Sequence, residues 1–107
     1  MNNFNLVRGD TATIRGTYSD VETLTDYTYK LHIDDAIDGS PIIEIDGEDY
    51  DQENKYVYFY ITHDISKTLT KNRYYVQAKR YDSLMNLVNS EPKKPAIMTI
   101  LSPVKTL

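Results

Sequence analysis

Tyr56-Val57-Tyr58-Phe59-Tyr60-Ile61 is the stretch that decides the fold, because its residues alternate in character with a period of two. In an extended chain this period places Val57, Phe59 and Ile61 on one face and the tyrosines on the other. Aromatic and β-branched residues are the types that fit a pleated, half-buried surface. We therefore predict a strand with one face in the hydrophobic core. The row of tyrosines on its opposite face suits contact with a partner.

Similar patterns extend outward from this stretch along the chain. They predict further strands at Phe4–Val7, Thr11–Tyr18, Tyr27–Asp34, Pro41–Ile45, Arg73–Tyr81 and Ala96–Leu101, with Leu84–Val88 as a short returning strand. About seven short strands separated by turns are typical of a single immunoglobulin-like antiparallel β-sandwich. The fold class predicted is therefore all-β.

The segments between the strands carry turn and loop signals. Thr62 is placed to cap one short helical turn, in which Ile65 and Leu69 lie on one side. Asp46–Lys55 is predicted as an acidic loop, and Ser90–Pro95, which contains two prolines, is not expected to form a central strand. We also predict a loop over Asp35–Ser40. The whole chain, 1–107, is predicted to be one domain with tails at 1–3 and 102–107.

Length and composition narrow the class of protein. A chain of 107 residues can bury a workable core without covalent staples. It contains no cysteine, which excludes disulfides and thiolate metal sites and fits folding in a reducing cytoplasm. The N-terminus lacks the apolar region of a signal peptide, and no apolar run approaches membrane-spanning length. We expect a soluble protein with no membrane partner.

Charge is distributed unevenly along the chain. The segment Leu31–Asn54 contains nine acidic residues and no lysine or arginine, although the net charge of the whole chain is only −4. The remainder carries twelve basic and seven acidic residues. Such a layout can orient a subunit against its neighbours, or it can simply reflect solvated faces and loops.

The tyrosines divide into two groups by their strand positions. Tyr18, Tyr27, Tyr29 and Tyr74 fall on faces assigned to the core. Five others fall on the opposite faces and are the candidate partner-binding residues: Tyr56, Tyr58, Tyr60, Tyr75 and Tyr81. The alternative is that a neighbouring strand or the Leu84–Val88 segment covers these rings within the same chain.

The sequence contains no recognisable pattern of catalytic residues. His32 is predicted on an outward strand face and His63 in the first helical turn, and neither accompanies a recognisable nucleophile motif. We therefore expect a protein that is not an enzyme and has no cofactor.

A calcium site is a weak candidate. Asp46, Glu48, Asp49 and Asp51 offer the carboxylate oxygens that Ca²⁺ accepts, but their spacing does not match an EF-hand loop.

Nucleic-acid binding is not expected either. The chain is acidic overall, and it has no glycine-rich phosphate cradle and no single basic motif. A tyrosine-bearing sheet near Arg73, Lys79 and Arg80 imitates a stacking platform for single strands. Cross-strand aromatic pairing or a protein contact surface explains the same residues better.

The opening Phe4-x-x-x-Arg8-Gly9-Asp10-Thr11 resembles the start of a family of small structural domains from tailed phages and prophages. These domains begin with an aromatic residue and R-G-D-T, followed by a strand. The resemblance continues through the Tyr27–Ile33 strand and the Asp64–Leu69 turn to Tyr74-Tyr75-Val76-Gln77. Within this chain, Gly9 is predicted as the residue that permits the turn and Asp10 as the side chain that bonds it.

The chain departs from the family pattern at Asn72, where the family often has glycine, and in its long Asn86–Pro95 excursion. The resemblance implies an immunoglobulin-like or related β-sandwich found in virions as a baseplate, tail or head-associated component. It supplies no catalytic residues.

The combined expectation is a non-enzymatic bacteriophage virion structural protein, made and folded in the host cytoplasm. An auxiliary capsid or head-associated protein, or an attachment subunit, is favoured over one module of a long tail protein. Its partners would be other virion proteins (capsid, fibre or tail components) or further copies of itself, contacted through the tyrosines and through sheet edges near Phe4–Val7 and Ala96–Leu101. The alternatives are a carbohydrate- or host-surface-binding module, or a tail or baseplate component.

Overall fold

A computed structural model describes residues 1–36 and 41–103. Within these ranges the chain forms eight strands, one short α-helix and one 3₁₀ turn. The strands are β1 (Phe4–Val7), β2 (Ala12–Thr17), β3 (Thr28–Asp34), β4 (Ile43–Asp46), β5 (Glu48–Asp51), β6 (Tyr56–Ile61), β7 (Arg73–Tyr81) and β8 (Leu87–Leu101). The 3₁₀ turn is Leu24–Asp26, and helix α1 is His63–Ser66. Residues 37–40 of the predicted loop and residues 104–107 of the predicted C-terminal tail lie outside the described residues.

The strands build two sheets that pack face to face. One sheet has five strands in the order β1-β8-β7-β3-β4, and the other has three in the order β2-β6-β5. This confirms the predicted all-β sandwich. All adjacent pairs are antiparallel except β1 and β8, which run parallel from Phe4 opposite Met98 to Val7 opposite Leu101.

The core lies between the sheets and follows the predicted alternation. Val57 and Phe59 of β6 are fully buried, as are Leu31 and Ile33 of β3. Each belongs to the inward-facing set of its strand, because successive side chains point to opposite faces. Burial of this continuous apolar surface is the main force that holds the two sheets together.

The acidic segment after β4 differs from its prediction. Glu48–Asp51 forms strand β5 rather than a loop, and β5 pairs with β6. Gly47 makes this possible, because a Cβ there would lie 2.6 Å from Val57 Cγ1 and 3.0 Å from Tyr29 Cβ. The chain thus passes from one sheet to the other at a point where only hydrogen fits, and it closes this side of the sandwich.

Ser90–Pro95 is part of β8, but it is not a central strand, as predicted, because it pairs with β7 alone and β1 pairs with β8 only over Met98–Leu101. Its pairing with β7 is irregular, because Ala96 opposes Val76 while Glu91 opposes Ala78. The Gln77 side chain donates to the carbonyl of Pro92 at 2.8 Å across this bulge. The prolines therefore sit where the regular ladder is interrupted, a position in which their missing N–H groups are tolerated.

Pairing between β1 and β8 changes the prediction about sheet edges. Phe4–Val7 does lie at the edge of the five-stranded sheet, but Met98–Leu101, most of the second predicted edge, lies inside it between β1 and β7. The backbone of Met98–Leu101 is therefore not free to extend a partner's sheet.

Helix α1 lies beside the first chain reversal, which is the turn at Gly9 between β1 and β2. Thr62 caps α1 by accepting a hydrogen bond from the Ile65 N–H, as predicted, and Leu69 is fully buried. Gly9 has a φ of +93°, which confirms its predicted turn role. The main-chain N–H of Asp10, rather than its carboxylate, closes the turn by donating to Val7 O at 2.9 Å.

Candidate functional site

A row of three tyrosines runs along the outer face of the three-stranded sheet. Tyr56, Tyr58 and Tyr60 alternate with the buried residues of β6, as predicted, and each ring is partly exposed. The ring centroids of Tyr58 and Tyr60 are 6.4 Å apart with an interplanar angle of 11°, and those of Tyr56 and Tyr58 are also 6.4 Å apart. The row is thus a continuous strip of aromatic surface.

Charged side chains hold the two ends of the row. The guanidinium carbon of Arg15 lies 4.0 Å from the centre of the Tyr56 ring, a cation–π geometry. At the other end, the Tyr60 hydroxyl donates a hydrogen bond to Asp49. This bond raises the pKa of Tyr60 to about 12. Arg15 and Asp49 thus restrain the rings at the two ends of the row.

The other two predicted contact tyrosines lie elsewhere. Tyr75 and Tyr81 are partly exposed on the outer face of β7, which belongs to the five-stranded sheet. The Tyr81 hydroxyl is 3.3 Å from Nε2 of His32, and the Arg73 guanidinium lies 5.9 Å from the Tyr75 ring centre. The structure therefore separates the five residues into two groups on opposite outer faces of the sandwich.

The tyrosines assigned to the core are placed much as predicted. Tyr18, Tyr29 and Tyr74 are buried, and Tyr27 is partly buried beneath the Arg80 guanidinium at 4.9 Å. The alternative that Leu84–Val88 covers the outer tyrosines finds no support, since Leu84 itself is 80% exposed.

An apolar hairpin tip was missed by sequence reasoning. Between β7 and β8 the chain reverses over 82–86, where the Asp82 carboxylate accepts hydrogen bonds from the N–H groups of Leu84 and Asn86, both at 2.9 Å. The turn is therefore well ordered, yet four large apolar side chains on and beside it are exposed: Leu84, Met85, Leu87 and Val88. Their signal in the sequence was an apolar run that directly follows a turn and does not alternate.

The carboxylates of the weak calcium candidate do not converge. Asp46 pairs with Lys30 Nζ at 2.9 Å, Asp49 accepts from Tyr60, and Asp51 accepts from the Asn54 side chain at 2.9 Å. Glu48 is exposed on β5. Over residues 1–36 and 41–103, no three metal-ligating side chains gather in one place.

The two histidines also lie in separate settings. His32 contacts Tyr81 and is 3.8 Å from a Glu44 carboxylate oxygen, and its pKa is lowered chiefly by burial. His63 Nδ1 lies 2.6 Å from the carbonyl oxygen of Gly9 in the first chain reversal. Each imidazole therefore contacts its own neighbouring residues, and the two imidazoles do not line a common cleft.

Comparison of the sequence with protein-family models and with curated proteins finds no match. Among the helices of the described residues, none has the length and apolar character needed to cross a membrane.

Proposed function

We propose that this protein is a non-enzymatic structural subunit that docks on a larger protein assembly through the row formed by Tyr56, Tyr58 and Tyr60. The observation that carries the proposal is the continuity of this aromatic strip on a sheet face that no further layer of the described chain covers. Tyrosine is enriched in protein interfaces because it combines a large apolar body with a polar hydroxyl.

The fixed orientation of the row supports this role. Arg15 and Asp49 hold its two ends, so the rings lose little further conformational freedom when a partner covers them. The rigid apolar tip at Leu84 and Met85 offers a second, smaller contact on the same subunit.

A more specific form of the proposal rests on a resemblance to phage structural domains. This resemblance lies in the opening Phe4–Thr11 and in the Tyr74–Gln77 segment. The assembly would be a bacteriophage virion, and the subunit an auxiliary capsid, head-associated or attachment protein. A tail or baseplate position is the alternative within the same class.

Quantitative mass spectrometry of purified particles tests the virion proposal. We expect the chain in stoichiometric, symmetry-related copy number relative to a major head or tail protein. Its absence from particles, or its presence only in traces that wash away, would contradict the proposal.

Carbohydrate binding is a second candidate, favoured by one feature. The nearly parallel Tyr58 and Tyr60 rings form a flat platform of the kind on which sugar rings stack. A glycan array probed with the purified chain separates the candidates. Selective glycan binding that Tyr58→Ser abolishes would favour the host-surface role over docking on a protein assembly.

A further inference from the structure

The two sheets of the sandwich differ in width, and this leaves one side open. The three-stranded sheet ends at β2, while on the same side the five-stranded sheet continues through β8 to β1. Strand β2 faces the region of β7 and β8, because Ile14 and Gly16 of β2 line the same cleft as Ala78 of β7 and Asn89 of β8. The five-stranded sheet therefore projects beyond β2 by one or two strands. The opposite side of the sandwich is closed, because the chain passes there from β4 to β5.

The backbone of β2 is paired on only one edge. In an antiparallel pair, alternate residues direct both their N–H and their C=O toward the partner strand. The Tyr18 N–H donates to Lys55 O at 2.8 Å. The residues of β2 that are an even number of positions from Tyr18 therefore direct their backbone groups toward β6. Thr13, Arg15 and Thr17 consequently present their N–H and C=O groups at the free edge, where none of the described strands pairs with them.

The inner face at this edge is incompletely covered. Ala12 and Ile14 point into the sandwich yet are only partly buried, whereas their cross-strand partners Ile61 and Phe59 are 1% and 0% exposed. A cleft of about 510 Å³ opens here, within the range of about 300–1,000 Å³ typical of ligand sites. Ile14, Phe59 and Ala78 supply apolar lining, and Asn89 of β8 stands on the far side.

The cleft has a polar end centred on Tyr18. The phenol lies against Gly16, where a Cβ would be 2.7 Å from the ring, and its buried hydroxyl has no hydrogen-bond partner among the described residues. Burial raises the pKa of Tyr18 to about 12, with Glu91 and Asp20 adding to the rise and Arg80 opposing it. Both acidic residues line the cleft, but the Asp20 carboxylate is already paired with the Arg80 guanidinium at 3.2 Å. The Glu91 carboxylate, which lies 4.0 Å from Lys93 Nζ, is therefore the group that a positively charged partner side chain would face.

From these features we infer that the free edge of β2 accepts an extended segment of a partner protein as a fourth strand of the three-stranded sheet. The segment would pair with Thr13, Arg15 and Thr17 and place alternate small apolar side chains over Ile14. A lysine or arginine near its end would face Glu91. This edge adjoins the tyrosine row, with which it shares Arg15, but strand addition uses the backbone of β2 rather than the tyrosine rings, so the inference does not depend on the function proposed above.

A second copy of this chain does not fit the same edge as well. Its own five-stranded sheet would extend past its β2 in the same way, so two copies placed edge to edge would bring their projecting strands into collision. A single extended segment avoids this clash because it brings no second sheet.

A displayed library of random twelve-residue peptides provides the probe. We expect selection on the purified chain to enrich peptides that alternate apolar and polar residues and carry a basic residue. Thr13→Pro removes one free-edge N–H without breaking a bond to β6, so it should weaken binding of a synthetic selected peptide by about tenfold or more. Thr13→Ala keeps the N–H and should bind within about twofold of the original chain.

Amide hydrogen exchange on the unsubstituted chain gives a readout that does not depend on how the proline variant folds. Adding the selected peptide should slow exchange at Thr13, Arg15 and Thr17, while Ile14 and Gly16, already bonded to β6, should change little. Tyr58→Ser should leave this binding intact. Failure to enrich any peptide, equal binding to Thr13→Pro and Thr13→Ala, or protection confined to other strands would overturn the inference.

Discussion

At the scale of single residues, a position with no room for a side chain constrains the fold as much as a buried side chain does. Gly47 is one of only four glycines, and it stands where the chain changes sheets. The sequence marked it only as part of an acidic turn, because nothing local reveals that Val57 and Tyr29 will press against its α-carbon. Sequence reasoning could identify Gly9 more easily, since Arg-Gly-Asp is turn chemistry by itself.

Gly47→Ala should destabilise the protein by about 1–3 kcal/mol, because a methyl group 2.6 Å from Val57 Cγ1 forces the buried neighbours to move. Chemical denaturation monitored by circular dichroism measures the change. Thr17→Ala, at an exposed position of β2, serves as the control and should change stability by less than about 0.5 kcal/mol. Equal midpoints for the two variants would mean that the sheets are not packed as described.

His32 should make stability depend on pH. Burial lowers its pKa in the folded state, so the unfolded chain takes up a proton first as the pH falls through about 6.5. Stability should therefore be highest above this pH and should decline between about pH 7 and pH 5. His32→Gln should flatten this part of the curve in denaturation measured across the pH range. An unchanged decline in that variant would assign the effect to other groups.

At the scale of elements, the alternating pattern predicted strands well wherever one face is core and the other is solvent. Tyr56–Ile61 and Arg73–Tyr81 were found within their predicted bounds. The pattern failed at Glu48–Asp51, whose acidic residues resemble a loop but gain strand pairing from β6. It identified Ser90–Pro95 only as a segment that is not a central strand, and it could not reveal the strand pairing there, because the bulge that accommodates the prolines depends on the distant Gln77 side chain.

Packing of α1 against the first chain reversal should depend on one hydroxyl. Ser66 is fully buried, and its Oγ accepts a hydrogen bond from the Gly9 N–H at 2.8 Å. Ser66→Ala leaves that N–H without its acceptor and should cost about 1–3 kcal/mol. Ser83→Ala, in an exposed turn, is the matched control. A thermal melt in which both variants match the original chain would show that the contact is unimportant.

At the scale of the whole molecule, the sandwich separates surfaces that the sequence places close together. Period-two reasoning identified all five outer tyrosines, but it could not tell that β6 and β7 belong to different sheets, because strand order depends on long-range pairing. Five of the acidic residues lie on β4 and β5 at one side of the sandwich (Glu44, Asp46, Glu48, Asp49 and Asp51), while Lys93 and Lys94 lie on β8 toward the other. Part of the uneven charge of the sequence thus becomes an acidic patch on β4 and β5.

Rebinding of the purified chain to particles that lack it tests the central claim most directly. We compare the original chain with Tyr58→Ser, in the middle of the row, and with Tyr75→Ser on the opposite sheet, after confirming equal melting temperatures. Loss of a central interface tyrosine should weaken binding by about tenfold or more, while Tyr75→Ser should bind like the original chain. Full binding by Tyr58→Ser would contradict a docking role for the tyrosine row.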